Sequence, residues 1–240
     1  MQIEIKYQPS YSLGILKLAA GESVRAEPGA MVSMTGNMQI QTGMQGGLFG
    51  ALKRKVLGGE SLFTNTFTAM GAPGELTLAP TLPGDLAHIT LAAGTLFVQS
   101  GSYVAASEGI ALDTAWGGSR GFFSGEGLFL LKATGTGDLL ISSYGAIHRV
   151  DLDGRSPYIV DTGHVVAFSS GLTYAVKGVG GMKSTLLSGE GMVCEFTGQG
   201  PLYLQTRSTQ AFLSWLLPQV QTGGGRGGSG SVIGNILGGE

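Results

Sequence analysis

A pair of glycine motifs occurs three times in this chain, in the same order each time. The first motif is Pro28-Gly29-Ala30-Met31-Val32, matched by Ser100-Gly101-Ser102-Tyr103-Val104 and by Thr162-Gly163-His164-Val165-Val166. The second is Gly59-Glu60-Ser61-Leu62-Phe63, matched by segments that begin at Gly125 and at Gly189. An ordered recurrence of this kind is typical of repeat architectures. We therefore expect three tandem units, at residues 1–80, 81–150 and 151–216, followed by a glycine-rich flexible tail at residues 217–240.

Glycine accounts for 43 of the 240 residues, and Asp, Glu, Lys and Arg together account for only 12%. Glycine disfavours long helices, because it costs about 1 kcal/mol relative to alanine in a helix interior. The apolar content of 42% and the net charge of −2 exclude an intrinsically disordered chain, which needs low hydrophobicity and high net charge. Short runs rich in Val, Ile, Thr, Tyr and Phe between the glycines indicate an all-β protein.

Each unit is expected to consist of short strands joined at glycine turns. Alternating residues 1–6 predict a first strand rather than a signal peptide. Two strand-like runs, residues 101–109 and 110–114, meet at the turn residues Ser107-Glu108-Gly109, a pattern that predicts a β-hairpin. Many short strands at this spacing predict a β-sandwich or a barrel. Three such units would most naturally close around a pseudo-threefold axis, although an elongated array would fit the same repeat.

The first unit carries about four to six more residues between its two motifs than the other units do. The extra length falls in a basic insertion at residues 44–58, where Leu48, Leu52 and Val56 recur at helical spacing. Its Lys53-Arg54-Lys55 cluster is the densest charge in the chain. One interpretation is a basic helix or loop that touches a membrane surface or nucleic acid phosphates. The other is a surface excursion whose charges are only solvated.

The segment from Ser208 to Leu217 predicts a short C-terminal helix, with Ser208 as its N-cap and Pro218 just beyond its end. Phe212, Trp215 and Leu216 share one stripe of that helix, because they are three and four residues apart. This stripe would pack against the sheet or form a subunit interface. The glycine-rich tail that follows has the composition of a flexible linker.

Residues able to carry chemistry are sparse. His88, His148 and His164 have no second ligand at metal-binding spacing, so no metal site is predicted. The lone Cys194 stands where Leu130 stands in the preceding unit, which indicates an apolar core position rather than a nucleophile. No catalytic residue and no cofactor motif is found, neither a phosphate-binding loop nor a nucleophile elbow.

The recurring glutamates are the only acidic set that follows the repeat. Around a threefold axis, Glu60, Glu126 and Glu190 could hold a hard cation. The alternative, which we favour, is that each carboxylate accepts backbone N–H groups within its own glycine-rich turn.

Two segments resemble the bacterial branch of the mitochondrial-biogenesis, altered-inheritance-of-mitochondria family. They are Gly46-Gly47-Leu48-Phe49-Gly50-Ala51-Leu52-Lys53-Arg54 and residues 58–67, with Glu27-Pro28-Gly29-Ala30-Met31 before them. The similarity covers about residues 1–217. It implies three β-sandwich units of the type found in the tryptophan RNA-binding attenuation protein (TRAP-like), and a tendency to oligomerise. It implies no enzymatic activity, and tryptophan or RNA binding does not follow from a shared fold.

The sequence thus predicts a cytoplasmic, non-enzymatic β scaffold or binding protein without a cofactor. A homo-oligomer, with a trimer favoured, would cover the edge strands that short sheets leave open. The alternative is peripheral association with a membrane or nucleic acid through Lys53, Arg54 and Lys55. A third hypothesis is an enzyme with an unrecognised site between the units.

Overall fold

The structure is a computed structural model that describes residues 1–44, 63–114, 130–178 and 192–222. In these ranges the chain forms sixteen strands and one α-helix, so the predicted all-β class is confirmed. The strands are β1 (Gln2–Lys6), β2 (Leu13–Leu18), β3 (Ser23–Ala26), β4 (Met31–Met34), β5 (Met38–Met44), β6 (Phe63–Ala69), β7 (Gly74–Leu78), β8 (Leu86–Gln99), β9 (Tyr103–Ser107), β10 (Ile110–Thr114), β11 (Leu130–Ser142), β12 (Ile147–Asp153), β13 (Tyr158–Asp161), β14 (Val165–Ser169), β15 (Leu172–Gly178) and β16 (Met192–Gln205). The helix is α1 (Thr209–Thr222).

The strands belong to two sheets. Four of them form a sheet in the order β1-β2-β7-β4. The other twelve form a sheet whose main path is β12-β16-β14-β8-β11-β9-β3-β6-β5, with β10 on β11 and both β13 and β15 on β16. Every strand-to-strand pairing in both sheets is antiparallel.

Glycines lie inside the long strand β11, where the pairing register with β8 shifts between Gly135 and Gly137. Their φ angles are +124° and +145°, a region that side chains with a Cβ rarely adopt. Such a bulge bends a strand and increases its twist. As a result the first part of β11 pairs with β10 and its last part pairs with β9. Gly198 and Gly200 take the same conformation inside β16.

The predicted hairpin between β9 and β10 is wrong in its pairing, although both strands form. Each of the two pairs with β11 instead of with the other. β9 lies along the last part of β11 and β10 along its first part, so the two strands follow one another along β11, and the Glu108-Gly109 turn joins them beside Thr136. Sequence alternation predicts a strand but does not name its partner.

Buried apolar side chains form three clusters. The first lies among β2, β3, β6 and β7 and includes Val104 and Ala105 from β9. The second lies among β8, β9, β10 and β11 and includes Val166 and Ala167 from β14. The third lies among β13, β14, β15 and β16. The first two clusters are therefore each completed by a strand from further along the chain.

The C-terminal helix forms where the sequence predicts it, but its predicted end is wrong. It begins at Thr209, directly after Ser208, and Pro218 lies inside it rather than beyond its end. A proline in a helix interior removes one backbone donor and costs about 3 kcal/mol, which weakens a helix without forbidding it. A compact unit of the chain ends at Ser208, and α1 belongs to the next one.

Replacing Gly135 by alanine should destabilise the fold by about 1–3 kcal/mol, because the position has a positive φ. A Cβ there would also press against the carbonyl oxygen of Gly109. Urea denaturation of the full chain measures the change. Gly36→Ala is the matched control, since its Cβ would meet nothing within 4 Å, and it should change stability by less than about 0.5 kcal/mol. Equal effects of the two substitutions would contradict the proposed role of the bulge.

Candidate functional site

The most unusual surface of the described protein is the outer edge of β4. This strand pairs with β7 on one side, and no described strand pairs with it on the other. Its side chains Met31, Val32 and Met34 are exposed, and Val32 is 57% exposed. An open edge with apolar side chains is a template for pairing with another strand.

Strands β9 and β14 begin at the same motif as β4, yet both are buried. Val104 and Val166 occupy the position of Val32 in the aligned motifs, and each is 0% exposed. The difference lies in the neighbours, because β9 also pairs with β3 and β14 also pairs with β8. The exposure of β4 therefore results from a missing strand partner and not from its residue type.

A second open edge belongs to β13. Among the described strands β13 pairs only with β16. Ile159 is 63% exposed and Tyr158 is also exposed, whereas Val160 points into the third cluster. β13 therefore offers one apolar face and one unpaired row of backbone groups.

Helix α1 carries the apolar stripe that the sequence predicts. The ring centroids of Phe212 and Trp215 lie 6.1 Å apart. Both side chains are exposed, Trp215 by 61%, and Leu216 is half-buried. The role of this stripe in packing against the sheet or in a subunit interface stays a prediction.

Glu27 lies in the turn between β3 and β4, beside the junction of β3 with β9. Its backbone N–H donates to the carbonyl oxygen of Val104 over 2.8 Å. Burial raises the pKa of its carboxyl to about 7, from an ordinary value of 4.5. In the same junction the buried hydroxyl of Tyr103 donates to the carbonyl oxygen of Arg25 over 3.0 Å.

Asp85 is a buried carboxylate whose donors come from separate parts of the chain. Ser12 Oγ donates to its Oδ1 over 2.9 Å, Gln8 Nε2 over 3.0 Å and the Leu86 backbone N–H over 2.8 Å. With these donors in place the carboxylate ties the segment before β2 to the start of β8. This arrangement is structural, since the oxygen is occupied by protein donors.

Two of the three histidines, His88 and His164, contact protein oxygens. His88 Nε2 lies 2.7 Å from Asp138 Oδ1, and Thr90 Oγ1 also donates to that oxygen over 3.2 Å. His164 Nδ1 lies 2.7 Å from the carbonyl oxygen of Gln205. Within the four described ranges no three His, Cys, Asp or Glu side chains cluster in a way that could hold a metal ion.

Cys194 lies in the apolar core, as the sequence predicts. It is fully buried in the third cluster beside Phe196 and Val160. Burial, and secondarily the charge of Asp161, raises the pKa of its thiol to about 12. A thiol in this environment stays protonated at neutral pH and is a poor nucleophile.

Two sets of predicted residues lie outside the described residues. These are the basic cluster Lys53-Arg54-Lys55 and the recurring glutamates Glu60, Glu126 and Glu190. Both interpretations of the basic cluster and both interpretations of the glutamates stay predictions. As for the described helix, it is neither long nor apolar enough to cross a membrane.

Comparison with known proteins places the chain in a family. The model of the mitochondrial biogenesis AIM24 family matches residues 3–207, which is nearly all of the described β structure. The chain belongs to the AIM24 family. The resemblance noted in the sequence is thereby confirmed.

Relatives of this AIM24 member come from Streptococcus pyogenes. An uncharacterized protein of serotype M6 is 30% identical over 224 residues, which is 90% of this chain and 90% of that protein. A crystal structure of a protein from the same species, solved as a structural genomics target, is 30% identical. It has a TM-score of 0.77 and covers 91% of this chain and 99% of its own.

Sequence reasoning did not identify β4 and β13 as open edges of this AIM24 protein. The repeated motif aligned Val32 with Val104 and Val166, and all three suit a buried strand. The motif itself therefore carries no signal that separates the exposed strand from the buried ones. Whether a strand has a partner, however, is decided only when the chain is folded.

Glu27 should make stability depend on pH. Because its pKa is raised in the folded state, the folded protein holds the proton more tightly, and the free energy of unfolding should fall as pH rises from about 4.5 to about 7. Glu27→Gln removes this loss, so its stability gain over wild type should be larger at about pH 8 than at about pH 4. Denaturant titrations at the two pH values measure the gain. The exposed Glu108→Gln serves as control, and a gain at Glu27 that is independent of pH would contradict the assignment.

Proposed function

We propose that this AIM24 protein is a non-enzymatic, cytoplasmic β scaffold that acts as a homo-oligomer. The observation that carries the proposal is the pair of open strand edges, β4 and β13, with exposed apolar side chains. Native proteins normally cover, charge or shorten such edges, because they invite pairing with other chains. Both strands are short, at four residues each, but Val32 and Ile159 leave their edges apolar and uncovered, so a further chain that covers them is the simplest use of the surface.

The proposal includes three tandem TRAP-like units, which the pattern of strand pairing supports. β4 lies on β7, β9 on β11 and β14 on β16, each with a register shift near the start of the shorter strand. The shift falls between Met31 and Ser33 in the first pair, and between Val165 and Ala167 in the third. Equal irregularities at matched positions are expected of repeated units and would be surprising in unrelated strands.

Close backbone approaches at matched glycines also support the repeat. A Cβ on Gly135 would meet the carbonyl oxygen of Gly109, and a Cβ on Gly198 would meet that of Gly171. The two pairs occupy corresponding places in the aligned segments. Glycine is required at both for the same reason, since any side chain would collide with the facing backbone. A pseudo-threefold arrangement of the units is the further expectation.

The state of the ionisable groups in the described ranges favours a scaffold over an enzyme. An active site needs groups with perturbed pKa values that converge on a cleft. Of the groups whose pKa values are raised most, Glu27 and Tyr103 lie at the junction of β3 with β9, whereas Cys194 lies in the separate third cluster. Tyr103 and Cys194 are side chains of buried clusters, where they pack and do not face a substrate.

The oligomer is tested by the mass of the full chain in solution. We expect sedimentation equilibrium at tens of micromolar to give about three times the 24.6 kDa chain mass, because a closed ring of copies would cover the open edges of β4 and β13. A mass that stays at one chain over a hundredfold range of concentration would contradict the proposal. If the association is weak, the measured mass should fall progressively as the protein is diluted.

The charge of the basic cluster Lys53-Arg54-Lys55 favours a second candidate function, which is binding to an anionic surface. If Lys53, Arg54 and Lys55 contact anionic lipid, full-length protein should co-sediment with phosphatidylserine vesicles at low salt and dissociate as salt is raised. Replacing all three by alanine should abolish this binding. Lys17→Ala together with Lys132→Ala and Lys177→Ala is a charge-matched control. Binding that survives the first triple change would remove the hypothesis.

A further inference from the structure

Two pairings join distant parts of the chain in the same register. β9 pairs with β3 so that Ala105 lies opposite Ala26. β14 pairs with β8 so that Ala167 lies opposite Val98. In each pair the earlier residue lies three positions before the glycine of one copy of the first motif. The later residue lies four positions after the glycine of the next copy. The next residue pairs agree as well, Arg25 with Ala106 and Phe97 with Phe168.

The two strands left over by this rule are β13 and β4. Val160 stands three residues before Gly163, and Ser33 stands four residues after Gly29. Their unpaired edges are the ones that the rule would join, and among the described strands neither has a second partner. Extending the rule sets Val160 opposite Ser33, Ile159 opposite Met34 and Tyr158 opposite Thr35.

We propose that β13 of one copy of this chain pairs antiparallel with β4 of a second copy, head to tail, in that register. The proposal rests on the proposed function, because it names the surface through which the oligomer would form. The interface uses different surfaces on the two copies, so it closes into a ring or continues as a filament.

Burial in the three clusters supports a second copy as the occupant. Val104 of β9 completes the first cluster, and Val166 of β14 completes the second. The third cluster has no corresponding side chain among the described residues. Val32 is the residue at that position in the aligned motif, and it is exposed. In the proposed assembly Val32 of one copy enters the third cluster of the other.

The other described edges do not offer the same argument. β5, β10 and β15 occupy matched positions, and each pairs with one neighbour only. An edge that is open in all three places needs no partner to explain it. β4 and β13 differ because their counterparts have a second strand partner. The counterparts of β4 are β9 and β14, and the counterparts of β13 are β3 and β8.

Two charge substitutions test the interface. Val32→Asp blocks β4, and Ile159→Asp blocks β13. Both side chains are exposed in the single chain, so each variant should keep the wild-type circular dichroism spectrum, while its melting temperature should fall because association stabilises the wild type. We expect each variant alone to sediment as a monomer. An equimolar mixture should give a 1:1 dimer at twice 24.6 kDa, because the first variant retains an intact β13 and the second an intact β4. Ile40→Asp, an exposed apolar side chain on the edge strand β5, is the matched control and should leave the wild-type mass unchanged.

The outcomes separate the interface from the proposed function. If wild type is an oligomer and both variants keep its mass, the interface is wrong and the scaffold stands. If the variants dissociate but their mixture forms no dimer, head-to-tail pairing is wrong. If wild type is a monomer throughout, both the interface and the oligomeric scaffold are wrong.

Crosslinking tests the register without relying on a charged variant. Met34→Cys and Ile159→Cys place thiols on residues expected to lie directly opposite, about 4.5–5.5 Å apart between Cβ atoms. Under mild oxidation a mixture of the two single variants should form a disulfide-linked dimer, and Ile40→Cys with Ile159→Cys should not. Equal crosslinking by the control pair overturns the register. A chain that carries both cysteines and forms only an intrachain disulfide shows that the edges close within one molecule, which overturns the second copy as the occupant.

Discussion

The fold depends on strands that cross over to complete a sheet begun earlier in the chain. β9 lies on β3, and β14 lies on β8, and each arriving strand places apolar side chains in the cluster of the earlier strands. Burial of apolar surface is the dominant favourable term in folding, so these crossings connect what would otherwise be separate small sheets. The glycine bulges make them geometrically accessible. Because β11 and β16 change direction at their positive-φ glycines, one end of each strand pairs in one neighbourhood and the other end in another.

In the part of the chain that the structure describes, this arrangement leaves the outer edges of β4 and β13 without the second strand that their counterparts have. Among the described strands, β4 pairs with β7 alone and β13 pairs with β16 alone, so each has one open edge. This accounts for the contrast between exposed Val32 and its buried counterparts Val104 and Val166. The buried carboxylate Asp85 and the buried thiol Cys194 are surrounded by protein groups, whereas the outer edges of β4 and β13 meet no second strand among the described residues.

Much of this fold can be predicted from the sequence, and the failures share one cause. The all-β class, the strands on either side of Gly109 and the core position of Cys194 follow from composition and local pattern, and the structure has all three. The hairpin between β9 and β10 was wrong because the local turn is compatible with more than one pairing. The end of α1 was wrong because Pro218 imposes a cost and does not set a boundary. The open edges were missed because exposure at Val32 depends on a strand that is distant in sequence or absent.

The sequence by itself determined which segments become strands, where glycine must replace other residues, and that the chain belongs with proteins of the AIM24 family. These properties are local or cumulative, so they can be derived from residue types and their spacing. Only the tertiary structure decided which strand lies beside which, and therefore which apolar residues are buried. Pairing is a contact between segments far apart in the chain, and the same Val-containing motif is core in β9 and surface in β4 because a neighbour is present in one place and missing in the other.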